Sequence, residues 1–145
     1  MNNKELEKII SDSQSNPYIK WNNSSIADWC RADGEFSVYL FNKDGNHGYF
    51  SLLHNLSSNI EGIIVELGNR EGLGILSIYD ALQPDSKFYT LDIVNDNRFI
   101  KNEIKNDPRV NILNDFNSLD NDRIKKTFEK KSISMIFLDT IHTYE

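Results

Sequence analysis

Four acidic residues come at the ends of four apolar stretches of this sequence of 145 residues: Glu66, Asp92, Asp115 and Asp139. Parallel sheets bind ligands beyond the carboxyl ends of their strands, so acids placed in this way can face one ligand. Asp92 lies 24 residues beyond Gly68, where a carboxylate can accept both hydroxyls of an adenosine ribose. Asp115 can also be read as a helix N-cap. The joint placement of the acids, rather than any one of them, indicates a ligand.

A glycine loop follows the first of these stretches and narrows the choice of ligand. Its glycines are Gly68, Gly72 and Gly74, which departs from the G-x-G-x-x-G spacing of pyrophosphate-binding loops. The bulky Arg70 stands where a pyrophosphate needs close backbone approach. Glu66, two residues before the first glycine, favours a ligand that carries positive charge, such as a sulfonium or an α-amino group.

The elements that must position these residues alternate between strand and helix after Gly62. Apolar runs predict strands at 63–67, 87–93, 109–114 and 133–139, and helical patterns lie between them at 72–82, 96–106 and 120–131. This alternation predicts an α/β fold with a parallel, doubly wound sheet. Because the runs are almost continuously apolar, helices are expected on both faces.

The first 58 residues have a different character and predict an N-terminal helical and aromatic cap, followed by a sheet domain over 59–145. Helical stripes occur at 4–11 and 47–56, and Ser24 or Ser25 is the expected cap of a helix between them. The segment 35–41 is expected to be a strand or an extended lid. Aromatic residues in this part can form either a lid over a ligand or simply the core of the cap.

Bulk properties exclude several classes of protein. The net charge of −6 argues against a nucleic-acid backbone as partner. No apolar run approaches the length of a membrane span, no signal peptide is visible, and a single cysteine fits a reducing compartment. These properties predict a cytoplasmic protein without a nucleic-acid or membrane partner.

Together these residues resemble a known family. Val65-Glu66-Leu67-Gly68-Asn69-Arg70-Glu71-Gly72, the strand end at Asp92, Asn114-Asp115-Phe116 and Phe137-Leu138-Asp139 are similar to the successive motifs of class I S-adenosylmethionine-dependent methyltransferases. The resemblance covers residues 50–145 and implies a Rossmann-like sheet. It also implies cofactor contacts at Glu66, Gly68, Asn69, Arg70 and Gly72, with Asp92 on the ribose and Ile93, Asp115 and Phe116 at the adenine.

The last residues resemble one subgroup of that family. Its Asp-Gly-Asp-His-Ser-Tyr-Glu signature corresponds here to Asp139-Thr140-Ile141-His142-Thr143-Tyr144-Glu145. The resemblance implies Asp139 as a ligand for a divalent metal such as Mg²⁺, which would activate an acceptor hydroxyl. Ile141 replaces the second acid and removes an oxygen ligand. His142 is a candidate general base, with a solvent-facing histidine as the alternative interpretation.

The family's fold continues beyond a fourth strand, and this chain ends six residues after Asp139. With the expected strand order 3-2-1-4, the fourth strand has an apolar, uncharged outer edge. We therefore expect a fragment of a longer protein with strands 1–4 only, or self-association through that edge. The functional hypotheses are methyl transfer to an oxygen of a small-molecule or sugar-like acceptor, a truncated, non-catalytic cofactor-binding or interaction module, and an NAD-dependent oxidoreductase.

Overall fold

A computed structural model describes residues 1–16, 18–32, 48–69, 72–93, 100–117 and 119–138. In chain order these residues form helices α1 (Asn3–Ser15), α2 (Ser24–Ala32) and α3 (Gly48–Ser57), strand β1 (Ile63–Leu67), helix α4 (Leu73–Ala81), strand β2 (Lys87–Leu91), helix α5 (Asn102–Lys105), strand β3 (Val110–Leu113), helix α6 (Asn121–Phe128) and strand β4 (Ile133–Leu138).

The strands form one parallel sheet in the order β3-β2-β1-β4. The predicted α/β fold, with a Rossmann-like parallel sheet, is therefore confirmed, and so is the position of the fourth strand beside the first. Consecutive strands are connected through the helices α4, α5 and α6, as parallel pairing requires. The carboxyl ends of β1, β2 and β3 consequently meet at one rim.

One face of the sheet carries a compact apolar cluster. Its buried members are Val65, Tyr89, Leu91 and Phe116, and two residues of α6, Ile124 and Phe128, pack against them. The rings of Tyr89 and Phe128 meet edge to face at 5.2 Å, a favourable geometry for aromatic pairs. Helix α6 thus covers this face over β1 and β2.

Strand β4 departs from the expectation of helices on both faces. Its residues alternate between half-buried and exposed, and Ile136 and Leu138 are more than half exposed. This alternation is typical of a strand with one solvated face. Among the described residues no strand pairs with the outer edge of β4.

The chain divides into two compact units: Met1–Ile60 with Leu76–Gln83, and Glu61–Ile75 with Pro84–Glu145. The division passes through α4, so the first unit includes most of a helix that the sequence assigned to the sheet domain. The predicted boundary at residue 58 stays a prediction.

Helix α1 is longer than the stripe at 4–11 predicted, because it continues to Ser15. A capping box starts the helix: Asn2 Oδ1 accepts from Glu5 N at 3.0 Å, and Glu5 Oε2 accepts from Asn2 N at 2.7 Å. The Ser13 side chain is buried and accepts a hydrogen bond from Asn55 of α3 at 2.9 Å. Packing against α3 therefore extends the helix to Ser15 in spite of its polar sequence.

The cap of α2 is Asn23, not Ser24 or Ser25. Asn23 Oδ1 accepts hydrogen bonds from Ser25 N at 3.0 Å and from Ile26 N at 3.4 Å. These are the bonds that define an N-cap. Asparagine and serine both cap well, so the sequence alone did not distinguish the positions.

A buried histidine and aspartate connect three segments of the first unit. His54 Nε2 lies 2.8 Å from Asp80 Oδ2, and both side chains are almost fully buried. The same carboxylate accepts from the backbone N–H groups of Asn22 and Asn23. These contacts make His54 a structural residue of this unit.

Two helices of the sheet unit are shorter than predicted. In the predicted helix 96–106, only Asn102–Lys105 is helical among the described residues, which begin again at 100. Helix α6 ends at Phe128 rather than at residue 131, because Lys130 adopts a left-handed φ of 62° that a helix cannot continue through. No helix in the described ranges combines the length and apolar character needed to cross a membrane.

Candidate functional site

The loop after β1 turns sharply at glycine. Gly68 has a φ of +89°, and its N–H donates to Leu91 O at 2.8 Å, which ties the start of the loop to the end of β2. Gly72, with a φ of +92°, closes the loop by donating to Asn69 O at 2.7 Å. Side chains rarely tolerate such φ values, so the two glycines determine the path of the backbone at this rim.

Glu66 is enclosed between β2 and the first turn of α4. It is 1% exposed, and its Oε2 accepts from Thr90 Oγ1 at 2.7 Å. A Cβ at Gly74 would lie 2.0 Å from Glu66 Oε1, so only glycine allows the carboxylate to approach this closely. The N-terminus of a helix stabilises negative charge. The Glu66 carboxylate lies beside this first turn, next to Gly74.

The side chain of Asn69 is buried without hydrogen bonds. The residue is 4% exposed, and neither Oδ1 nor Nδ2 has a partner in the described structure. Its backbone is held at both ends, because Asn69 N donates to Asp92 Oδ2 at 2.9 Å and Asn69 O accepts from Gly72. Buried polar groups in proteins are nearly always paired. This amide therefore requires an explanation.

Asp92 is hydrogen-bonded to the residues that end or follow β1 and β3. Its carboxylate accepts from the Asn69 N–H, its own N–H donates to Leu113 O at 3.1 Å, and its carbonyl accepts from Phe116 N at 2.8 Å. The predicted neighbours Glu66, Gly68, Asn69 and Asp92 are thus brought together. Ile93 follows with a side chain that is 66% exposed.

Asp115 and Phe116 lie at the end of β3 in different environments. Asp115 is exposed and has a left-handed φ of 53°. Phe116 is buried in the apolar cluster of the sheet, and the Arg123 guanidinium lies over its ring at 4.4 Å. Asp115 is not a helix N-cap, because Asp120 caps α6 by accepting from Arg123 N.

Three predicted site residues, Arg70, Asp139 and His142, lie outside the described residues, and so do the metal and general-base roles assigned to the last two. In the described ranges no group of three histidine, cysteine or acidic side chains is placed to hold a metal ion.

Sequence reasoning missed two residues that shape the site, Thr90 and Arg123, and it missed the close approach of Glu66 to Gly74. Thr90 stands opposite Glu66 in the sheet register, and a parallel register is not readable from one sequence. The pattern that could have indicated the approach to Gly74 is a small residue in the first turn of the helix after the acid. Arg123 carries no local signal, because its partners lie seven and eight residues earlier.

No protein-family model matches this chain, and a comparison with curated proteins gives no significant match.

Proposed function

We propose that this chain binds S-adenosylmethionine at the rim formed by the ends of β1, β2 and β3, and that it transfers the methyl group to an oxygen of a small-molecule or sugar-like acceptor. The observation that carries the proposal is the unpartnered, buried amide of Asn69 between Glu66 and Asp92. The family resemblance of the motifs supplies the identity of the cofactor.

The donor set at this rim fits the amino-acid end and the ribose of that cofactor. An amide offers one acceptor and two donors, which complement the ammonium and carboxylate groups of a methionine end. Asp92 Oδ2 accepts from the Asn69 N–H, and a carboxylate at this strand end is the group that accepts from ribose hydroxyls in dinucleotide-binding folds. Bound S-adenosylmethionine supplies an electrophilic methyl group on a sulfonium centre.

Glu66 influences the ligand through its negative charge and not through direct contact, because its side chain is almost fully buried. Its carboxylate lies beside the first turn of α4, and a dinucleotide's pyrophosphate uses the corresponding helix N-terminus in Rossmann folds. A diphosphate would meet like charge there, whereas a sulfonium or an ammonium would be attracted. This geometry favours the methyltransferase hypothesis over the NAD-dependent oxidoreductase.

The proposal assigns the general-base role to His142 and, where Mg²⁺ takes part, the metal contact to Asp139. Both residues lie outside the described ranges. A cytoplasmic location, inferred from the single cysteine, belongs to the same proposal.

Calorimetric titration tests this function directly. We expect the chain to bind S-adenosylmethionine and S-adenosylhomocysteine but not NAD. The Asn69→Ala variant should bind S-adenosylhomocysteine about tenfold more weakly or worse, because a buried hydrogen bond to a charged group is lost. Its unfolding free energy should not fall, because the side chain makes no hydrogen bond within the protein.

Asn59→Ala is the matched control, since this exposed asparagine lies in the other unit and should leave binding unchanged. Binding of NAD without binding of S-adenosylhomocysteine contradicts the proposal. Equal affinities of the Asn69→Ala and Asn59→Ala variants for S-adenosylhomocysteine would show that the Asn69 amide does not bind the ligand, and would contradict the proposal.

A non-catalytic binding or interaction module is the second candidate, favoured by the exposed apolar residues Ile136 and Leu138 of β4. Tight binding of S-adenosylhomocysteine, with no methyl transfer to any of a panel of hydroxyl acceptors, would select this alternative.

A further inference from the structure

The backbone at Asp115 turns through the left-handed region. Its φ is 53°, a conformation that aspartate enters more readily than most residues with a Cβ. In the described ranges Lys130 is the only other non-glycine residue with a positive φ. A side chain of α6 also contacts this turn.

Arg123 is the residue that holds it. Its Nη1 donates to Asp115 O at 2.5 Å, and its guanidinium carbon lies 4.4 Å from the centroid of the Phe116 ring. The ring is buried in the sheet cluster, and Phe116 N donates to Asp92 O at 2.8 Å. Arg123 thus contacts both residues of the turn. The turn is itself hydrogen-bonded to Asp92, the residue predicted to bind the ribose.

Arginine is suited to this position because its planar guanidinium can donate a hydrogen bond in its plane while stacking through its face. A lysine ammonium can donate to the carbonyl but has no flat face to place on the ring. The backbone of Arg123 is itself fixed, since its N–H donates to the cap residue Asp120 at 3.0 Å.

Because Arg123 bonds to the main-chain carbonyl of Asp115, the Asp115 carboxylate remains available to a ligand. This side chain is exposed, and no described residue donates a hydrogen bond to it. Building on the proposed function, we propose that Arg123 is a positioning residue that sets the specificity of the site for a 6-amino purine. It does so by holding the Asp115–Phe116 turn so that the Asp115 carboxylate accepts from the exocyclic amino group.

Paired titrations of the full chain test this role. The probes are S-adenosylhomocysteine and its 6-oxo analogue, S-inosylhomocysteine, which lacks the amino group. We expect the wild-type chain to prefer the adenine compound by about tenfold or more. In Arg123→Ala this preference should fall close to one, through weaker binding of the adenine compound alone, and Arg123→Lys should restore it in part.

Lys126→Ala is the matched control, because it removes one exposed positive charge from the same helix. A second readout needs no ligand: hydrogen exchange at the Phe116 amide should be faster in Arg123→Ala than in Lys126→Ala, since the bond to Asp92 O loses its support.

The outcomes separate the two proposals. If the wild-type chain binds the adenine compound and Arg123→Ala keeps the wild-type preference and the wild-type exchange at Phe116, the role of Arg123 is wrong and the proposed function stands. If the wild-type chain binds neither compound, the proposed function is wrong and the specificity role falls with it.

Discussion

At the residue scale, the Glu66 carboxylate lies directly beside Gly74, and a Cβ at that position would be 2.0 Å from Oε1. The carboxylate leaves no room for a Cβ at Gly74. Helix propensity alone predicts that alanine in place of glycine stabilises a helix by about 1 kcal/mol, whereas crowding in a packed interior typically costs about 1–3 kcal/mol. The sign of the measured change therefore shows which effect dominates.

We expect Gly74→Ala to lower the unfolding free energy by about 1–2 kcal/mol, because the new methyl group displaces the carboxylate. Urea denaturation measures this change. In a Glu66→Ala background the clash is absent, and the same substitution should stabilise the chain. Equal effects in the two backgrounds would show that Glu66 does not approach Gly74 as closely as the structure indicates.

The sequence predicted the residues of the rim better than their contacts. Glu66, Asp92 and Asp115 could be placed because each ends an apolar run, and strand ends determine which side chains share a rim. The bond from Thr90 to Glu66 could not, because it depends on the register of β1 against β2. Nor could the burial of Phe116, because it depends on the side of the sheet that α6 covers.

At the scale of elements, substitutions at the start of α2 test which residue caps this helix. Asn23 provides the acceptor for the first turn, so Asn23→Ala should destabilise the chain by about 1 kcal/mol. Ser24→Ala is the control: this exposed serine makes no cap bond, and its replacement should change stability by less than about 0.5 kcal/mol. Thermal or urea unfolding of both variants distinguishes them. A larger loss of unfolding free energy in Ser24→Ala than in Asn23→Ala would show that Ser24 is the N-cap of α2.

The strands and the helices α3 and α4 were predictable to within one or two residues at each end, whereas the helices α1, α5 and α6 were not. Each strand is a short apolar run bounded by glycine, proline or polar residues, and pairing confirms its extent. Helix α1 continues past Ser13, which accepts a hydrogen bond from Asn55 of α3, and α6 ends two residues before the left-handed Lys130. The spacing of apolar residues along the sequence does not predict such features.

At the scale of the whole molecule, β4 leaves an apolar surface. Ile136 and Leu138 are exposed on a strand whose outer edge is unpaired among the described residues. Exposed apolar edges favour pairing with another chain, and we propose self-association through β4 on this ground.

Light scattering at increasing concentration tests self-association. We expect the mean mass to rise with concentration for the wild-type chain and to stay at the monomer value for Ile136→Lys, because a charge on this surface opposes pairing. Leu119→Lys is the matched control, since Leu119 is also exposed and apolar but lies in a loop. A wild-type chain that stays monomeric, or a control that dissociates equally, would contradict pairing through β4.

The central claim, that the amide of Asn69 and the rim around Asp92 bind an adenosine-bearing sulfonium cofactor, is tested most directly by the amide NMR spectrum of the chain during titration with S-adenosylhomocysteine. We predict the largest shifts at the Asn69 side-chain amide and at the backbone of Gly68, Asp92, Ile93 and Asp115. Addition of NAD should leave these signals in place. Saturating S-adenosylhomocysteine that leaves the Asn69 side-chain signal unmoved, or shifts that concentrate in the first unit, would contradict the claim.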